Sequence, residues 1–275
     1  MKRIVLPTDF SDNSWSAVVY AMKLFSEESC TFYFLHSTLI KALIFSNLSS
    51  KLLETIRDDA MKELLELKIQ AEKSNTNTNH VFEVVLSTDG LVEAIEDTVK
   101  SHKIDIVVVG TKGATGAKEF FFGSNTVKLI ERMKSCPVLV VPDDYNFIVP
   151  KQLAYPTDFN RYFSEKELRP LKDLVTLYAS KIRILHINVE EKLNAFQKFN
   201  MFKLDEYLKQ YEHSFHWMPY YTKKEKEINS FIQELEIDML AMVNYKHSLI
   251  EYIVKEPVIK KLGFHLTIPF LVIPE

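Results

Sequence analysis

Four small residues between positions 104 and 126 have the types and spacing that would hold a phosphate group. Gly110 and Gly113 follow a run of apolar residues (IDIVVV), and Gly123 and Ser124 complete the pattern G-x2-G-x9-G-S. Glycine lets backbone N–H groups approach an anion, and a helix N-terminus adds unpaired donors and a favourable dipole. The spacing matches neither a Walker A loop nor the dinucleotide pattern GxGxxG. An ordinary strand-to-helix connection would also use such residues, with Ser124 as a cap.

Two more polar residues follow predicted strands. Asp9 comes after the apolar run at 2–7, and Ser37 follows the run at 31–36. The carboxyl ends of parallel strands meet at one edge of a sheet, so both residues should face the crevice beside Gly110. In the sequence TDFS, the Asp9 carboxylate could instead cap the helix that begins near Ser11. The two roles are compatible, and both stay open.

An internal repeat sets the domain organisation. The string PTDF occurs at 7–10 and again at 156–159. Three further pairs recur in the same order: FYFLHS and IRILHI, IDIVVV and IDMLAM, CPVLVVP and IPFLVIP. Such a series indicates two copies of one unit. We therefore expect one domain at residues 1–146 and a second, degenerate domain at 147–275.

Strands and helices alternate within the first copy. The predicted strands cover 2–7, 31–36, 81–86, 104–109 and 138–141, and the predicted helices cover 11–26, 48–73, 91–102 and 124–133. This alternation is typical of an α/β fold with a parallel sheet covered by helices on both faces. The second copy repeats the order less cleanly, and it contains a single glycine, Gly263.

With these features the chain resembles the universal stress protein family. The resemblance rests on Asp9 after the first strand, Leu35-His36 at the end of the second, the glycine motif, and the apolar strand at 138–141. It covers the whole chain as a tandem of two domains. It implies two Rossmann-like, adenine nucleotide alpha hydrolase-like domains, each with a five-stranded parallel-type sheet. The glycine motif marks the nucleotide-binding subgroup of the family.

The resemblance implies that the first domain binds ATP, or AMP or ADP, with or without Mg²⁺. Asp9 would lie by the adenosine moiety, and the backbone at Ser37 would line the adenine or ribose pocket. The family usually has a small apolar residue at the position of Ser37. The residues assigned to the nucleotide site are Pro7, Thr8, Asp9, Ser37, Val109, Gly110, Gly113, Gly123, Ser124, Asn125 and Thr126.

The second copy lacks the glycine motif. Gly110 aligns with Val243, and Ser124 aligns with Glu256. A glutamate would place a carboxylate where a phosphate should lie, and like charges in close contact repel each other. We therefore expect that the second domain does not bind a nucleotide in the family's manner.

Three other features have alternative interpretations. His213 and His216 are too few ligands for a metal, so no metal site is expected. The aromatic, lysine-bearing stretch at 196–221 could be a platform for single-stranded nucleic acid, but its mixed charges favour an amphipathic helix. The triplet at 120–122 (FFF) could form a lid, a partner surface or a buried plug.

Composition excludes several classes of protein. The net charge of −3 gives no bulk attraction to nucleic acid, and no apolar run reaches the roughly 18 residues that span a bilayer. Cys30 and Cys136 are expected to be reduced core residues. No catalytic constellation stands out, so we expect no enzyme beyond weak ATP hydrolysis. These features predict a cytoplasmic protein without membrane or nucleic-acid partners.

The resulting prediction is a stress-response regulatory protein that binds an adenine nucleotide. Its two domains would form an intramolecular pseudo-dimer through CPVLVVP and IPFLVIP, and the chain could form a homodimer as well. The alternatives are a nucleotide-free protein-interaction module and a slow ATPase or nucleotidyl-transfer enzyme.

Overall fold

The computed structural model describes residues 1–39, 49–111, 123–187, 192–218, 224–245 and 267–275. The chain divides into two units, Met1–Phe147 and Ile148–Glu275. The division lies beside the boundary predicted at residues 146 and 147. Predictions for Gly113, for 120–122, for Glu256 and for Gly263 concern residues outside the described ranges.

The first unit is a parallel sheet with a helix after each of its first four strands. Its elements are β1 (Lys2–Pro7), α1 (Asp12–Leu24), β2 (Cys30–Ser37), α2 (Ser50–Ser74), β3 (His80–Ser87), α3 (Leu91–His102), β4 (Ile106–Gly110), α4 (Ser124–Arg132) and β5 (Val138–Val141). The strand order is β3-β2-β1-β4-β5, with every pair parallel. The predicted α/β fold is confirmed. The winding changes direction between β1 and β4, where such sheets bind ligands.

The sequence explains these elements. β4 and β5 are runs of β-branched and leucine residues that are buried along their length, as expected for central parallel strands. α1 begins after Ser11, whose hydroxyl accepts a hydrogen bond from the N–H of Ser14. Ala17, Ala21 and Leu24 then follow at helical spacing and are buried. This cap defines the start of α1.

The second unit repeats the topology of the first. Its elements are β6 (Gln152–Thr157), α5 (Glu165–Tyr178), β7 (Lys181–Ile187), α6 (Ala195–Leu208), β8 (His213–Met218), α7 (Lys224–Glu234), β9 (Met239–Asn244) and β10 (Phe270–Pro274). The strand order is β8-β7-β6-β9-β10, again with parallel pairs. This order matches that of the first unit strand by strand. The pairing of the two units through their last strands stays a prediction.

The PTDF string of the first unit folds into a tight turn. Phe10 has a positive φ of 63°, and its N–H donates to the hydroxyl of Thr8 at 2.9 Å. The Phe10 ring lies against the ring of His36, with 4.5 Å between centroids. His36 in turn donates from Nδ1 to the carbonyl oxygen of Thr8 at 2.8 Å. The turn after β1 is therefore clamped to the end of β2.

The second PTDF string makes the same contacts. Phe159 has a φ of 58°, and its N–H donates to the hydroxyl of Thr157 at 3.1 Å. His186 donates from Nδ1 to the carbonyl oxygen of Thr157 at 3.0 Å and stacks on Phe159 with 4.8 Å between centroids. Both copies use these residues to build the same turn, so the repeated string has a structural role.

Two further predictions concern the core and the membrane. Cys30 and Cys136 are buried free thiols, as predicted, and burial raises the pKa of each to about 12. Within the described ranges, no helix has the length and apolarity needed to cross a membrane.

Candidate functional site

A cavity of about 270 Å³ lies at the carboxyl ends of β1 and β4. The segment after β1, the end of β4 and the first turns of α1, α3 and α4 form its walls. The residues that line it are Pro7, Thr8, Asp9, Asn13, Ser14, Leu91, Ile95, Val109, Gly110, Gly123, Ser124, Asn125, Thr126 and Leu129. The fold thus brings the segment after β1 and the start of α4 to one place, although they are far apart in the chain.

Asp9 presents a carboxylate to this cavity. Burial opposes its ionisation, but the hydroxyl and N–H of Ser11 both donate to Oδ1, at 2.5 and 3.2 Å. These hydrogen bonds outweigh burial and lower the pKa of Asp9 below its ordinary value. Asp9 is therefore ionised at neutral pH, and its carboxylate can accept further hydrogen bonds from a ligand. Asp158 of the second unit likewise accepts from the N–H of Asn160 at 2.9 Å, so this turn contact is structural in both copies.

The N-terminus of α4 opens onto the cavity without a side-chain cap. Its N-cap residue is Gly123, and no side chain of the described residues caps the first turn. Ser124 and Asn125 are exposed there, whereas Thr126 is buried with its hydroxyl 3.4 Å from the carbonyl oxygen of Gly110. The first N–H groups of a helix need acceptors, and an anion is a favourable one. Gly123 has a φ of −60°, which any residue can adopt, so the backbone itself does not require glycine there.

Gly110 is required by the close approach of α1. A Cβ at this position would lie 2.7 Å from Oδ1 and 2.8 Å from the backbone oxygen of Asn13. Its φ lies outside the left-handed region, so the need for glycine comes from space rather than from backbone conformation. Oδ1 of Asn13 is buried and has no hydrogen-bond partner in the described part of the chain. A buried amide oxygen without a donor is costly, so a ligand that brings one would remove this cost.

Nine of the eleven residues assigned to the nucleotide site line this cavity. Ser37 is not among the lining residues, and its hydroxyl donates to the carbonyl oxygen of Asp89 at 2.5 Å. Gly113 lies outside the described residues. The roles of all eleven toward a ligand stay predictions.

Sequence reasoning missed five lining residues: Asn13, Ser14, Leu91, Ile95 and Leu129. Asn13 lies one helical turn beyond Asp9, so the helix predicted from Ser11 could have indicated it. Leu91 and Ile95 lie one turn apart at the start of α3, and no motif marks them. They are apolar residues that any core helix could contain.

The described lining consists mainly of hydroxyl, amide, backbone and apolar groups. Asp9 is the one ionisable side chain in it, and it holds no histidine, cysteine, lysine or arginine. The described residues contain no cluster of three or more His, Cys, Asp or Glu side chains that could hold a metal. His213 is hydrogen-bonded through Nδ1 to the carbonyl oxygen of Tyr211 and through Nε2 to the carboxylate of Asp205, and Nε2 of His216 lies 2.8 Å from the hydroxyl of Ser214.

Side chains occupy the corresponding crevice of the second unit. Arg161 donates two hydrogen bonds to the carboxylate of Glu167, at 2.5 and 2.6 Å, and both side chains are largely buried. The guanidinium lies 4.8 Å from the ring centroid of Tyr245, whose hydroxyl donates to Asp158 at 3.2 Å. Asp158 follows β6 and Tyr245 follows β9, so these groups fill the place that the cavity has in the first unit.

The two crevices differ because their first helices start at different positions. α1 begins at Asp12, whose counterpart in the repeat is Arg161, but α5 begins four residues later at Glu165. The counterpart of Asn13 is therefore Tyr162, which precedes the helix and is exposed. The strand registers of the two units make Val243 the counterpart of Gly110. Val243 is buried. The later start of α5 means that this position of the second unit does not face a first helical turn at the residue equivalent to Asn13.

Comparisons with known proteins agree with this architecture. The family model described as "Universal stress protein family" matches residues 1–142. Universal stress protein MJ0531 of Methanocaldococcus jannaschii is 28% identical over 145 residues, which are 51% of this chain and 81% of that protein. Universal stress protein YxiE of Bacillus subtilis is 25% identical over 145 residues, covering 50% of this chain and 97% of that protein.

Solved structures match the full length of the chain. A universal stress protein of Archaeoglobus fulgidus aligns with a TM-score of 0.70 at 15% identity, covering 99% of this chain and 96% of that one. The Pseudomonas aeruginosa protein PA1789 aligns with a TM-score of 0.58 at 11% identity, covering 100% and 92%. At these identities the likeness shows the fold. Together with the family match and the repeated topology, it shows that this chain belongs to the universal stress protein family and contains two units of that kind in tandem.

Proposed function

We propose that the first unit binds ATP or a related adenine nucleotide, and that the protein is a cytosolic stress-response binding protein without fast chemistry. One observation carries this proposal: the uncapped N-terminus of α4 opens onto the same cavity as the unpartnered Oδ1 of Asn13. Among the residues that the structure describes, none caps this helix end with a side chain and none donates to the amide oxygen of Asn13. A nucleotide brings both, because its phosphates accept hydrogen bonds and its ribose hydroxyls donate them.

The charges suggest which way the nucleotide lies. Phosphates belong at Gly123, Ser124 and Asn125, where backbone N–H groups and the helix dipole favour an anion. The ionised Asp9 would repel phosphates and accept from hydroxyl groups, so the ribose belongs on its side of the cavity. Leu91, Ile95 and Leu129 add the apolar surface that a base can pack against.

Mg²⁺ would then enter with the nucleotide. Magnesium is usually bound through substrate phosphates, water and one or two carboxylates, and Asp9 is the one carboxylate in the described lining. The residues present therefore fit a metal carried by the phosphates. They do not form a preformed metal site.

The test is to identify and then titrate the ligand. Nucleotide released from the purified full-length chain is identified by mass spectrometry, and the stripped protein is melted with ATP, ADP, AMP and GTP. At 100 times the Kd, an adenine nucleotide should stabilise the protein by about 2.7 kcal/mol. GTP at the same concentration should give a smaller shift.

Two serine variants separate binding from folding. Ser124→Glu places a carboxylate at the exposed first position of α4 and should abolish the nucleotide-dependent shift. Ser135→Glu makes the same change beyond the other end of α4, outside the cavity lining, and should keep the shift. The absence of any shift in the wild-type protein, with no nucleotide released, would favour a nucleotide-free interaction module. Steady release of ADP from ATP would favour a slow ATPase.

A further inference from the structure

Asn13 carries an unsatisfied polar atom in the wall of the cavity. Its Oδ1 is buried and has no hydrogen-bond partner in the described part of the chain. A Cβ at Gly110 would lie 2.7 Å from this oxygen, so the amide lies directly against the end of β4. Asn13 and Gly110 both line the cavity. A ligand in the cavity is therefore the group that can supply the missing donor.

The other polar side chains beside Asn13 already have partners within the chain. The hydroxyls of Thr8 and Ser14 lie 3.0 Å apart, and the N–H of Phe10 donates to Thr8 at 2.9 Å. The Ser14 hydroxyl also donates to the carbonyl oxygen of Ser11 at 2.8 Å. Of these described side chains, Asn13 alone has a buried polar atom without a partner.

The position of Asn13 indicates which part of a nucleotide would reach it. An amide oxygen accepts hydrogen bonds, so its partner is a donor, and a nucleotide has donors on its ribose and on the amino group of its base. The apolar residues Leu91 and Ile95 belong to α3, whereas Asn13 belongs to α1. Asn13 contacts Gly110, whose carbonyl oxygen accepts from Thr126 in the first turn of α4. Asn13 is thus close to the end of the cavity assigned to phosphates, and the ribose is the donor-bearing group that adjoins them.

We propose that Asn13 accepts a hydrogen bond from a ribose hydroxyl, and that this contact makes the first unit selective for ribonucleotides over deoxyribonucleotides. This specificity rests on the nucleotide binding proposed above and adds the class of sugar. A deoxyribonucleotide leaves Oδ1 buried and unpaired, whereas a ribonucleotide supplies the donor. Sites that hydrogen-bond a substrate hydroxyl discriminate against analogues without it for this reason.

The test is calorimetric titration of the nucleotide-free, full-length chain with ATP, 2′-deoxyATP and 3′-deoxyATP. One of the two analogues should bind the wild-type protein at least about fivefold more weakly than ATP, and it identifies the hydroxyl. Asn13→Ala should weaken ATP binding by about the same factor and leave the Kd of that analogue nearly unchanged. The ratio of the two Kd values should therefore approach one. Asn13→Asp keeps an oxygen acceptor and should keep the ratio, although its charge weakens both nucleotides.

Asn125→Ala is the matched control, because it removes an exposed amide from the α4 side of the same cavity. It should keep the ratio whatever its effect on affinity. Melting of each nucleotide-free variant shows that it is folded. Equal Kd values for ATP and both analogues in the wild-type protein, or a ratio that persists in Asn13→Ala, would overturn the sugar specificity and leave nucleotide binding intact.

Two further titrations test the other partners that an amide oxygen can have. Inosine triphosphate lacks the amino group of adenine, and a preference for ATP over it that disappears in Asn13→Ala would assign the contact to the base instead. A ribose preference that disappears when EDTA removes Mg²⁺ would assign Oδ1 to the cation. Either result would overturn the sugar specificity. Failure of the wild-type protein to bind any of these nucleotides would refute the proposed function together with it.

Discussion

Replacing Gly110 with alanine should destabilise the first unit before any ligand is considered. The new Cβ would lie 2.7 Å and 2.8 Å from two oxygen atoms of Asn13, one of them in the backbone of α1. Real Cβ atoms keep about 3.4 Å or more from such neighbours, so the first turn of α1 must move by roughly half an ångström. Forcing an extra methyl into a packed contact of this kind costs about 1–3 kcal/mol.

The assay is urea unfolding followed by the fluorescence of Trp15, which lies in α1. Trp217→Phe is used as the background, since the chain has two tryptophans and the other lies in the second unit. The free energy of unfolding of Gly110→Ala should fall by about 1–3 kcal/mol with an unchanged slope. Gly123→Ala is the comparison: its φ of −60° suits alanine, and a poorer N-cap costs only about 0.5 kcal/mol.

Measuring unfolding with and without nucleotide distinguishes the two glycine variants. Gly110→Ala should lower stability with and without nucleotide, whereas Gly123→Ala should chiefly reduce the stabilisation that nucleotide provides. An unfolding free energy of Gly110→Ala within about 0.3 kcal/mol of the background protein would refute the steric reasoning, since contacts this short cannot be relieved without cost.

Three further predictions concern buried polar groups. Asn13→Ala should leave the stability of nucleotide-free protein unchanged or raise it, because it removes an unpartnered buried oxygen, while the nucleotide-dependent thermal shift becomes smaller. Arg161→Ala should lower the free energy of unfolding by about 3–5 kcal/mol, because it leaves the buried carboxylate of Glu167 unpaired. The test is urea unfolding monitored by the fluorescence of Trp217. Lys181→Ala, which removes an exposed ion pair, should lower the free energy of unfolding far less. Burial lowers the pKa of His186 below 6.5. The neutral His186 should therefore contribute its full share of stability above about pH 6.5, and this share should be lost as the pH falls towards the folded-state pKa. His186→Gln should flatten a plot of melting temperature against pH in this range.

Local rules predicted most elements of the first unit but misplaced some ends. The strand expected from residue 104 begins at Ile106 instead. Lys103 has a left-handed conformation with a φ of 52°, and the N–H of Ile104 donates to the carbonyl oxygen of Val99 at 3.1 Å. Ile104 thus belongs to the C-terminal closure of α3. Its apolar side chain is buried in either role, so the hydrophobic pattern could not distinguish the two.

The sequence predicted those residues of the site that are marked by a signal within one segment of the chain. Asp9 and the start of α4 follow from a strand end and a helix N-terminus, which leave signals in the sequence. Asn13 and Gly110 form a contact between two elements that are far apart in the chain, and neither residue alone reveals it. The repeat did not reveal that Gly110 is needed for packing, because the second unit has Val243 at this position and its first helix starts four residues later.

The repeat therefore separates what builds the fold from what makes the cavity. Both copies keep the positive φ of the phenylalanine after Asp9 or Asp158 and the histidine stacked on it, so PTDF and the histidine maintain the turn. The copies differ in one helical turn at the start of the first helix. In the first unit that turn brings Asn13 to the cavity and excludes any side chain at position 110. In the second unit its absence leaves space that Arg161 and its partners fill. A difference in helix start therefore accompanies the difference between the two copies: Asn13 lines the cavity of the first unit, whereas its counterpart in the second, Tyr162, precedes the helix and is exposed.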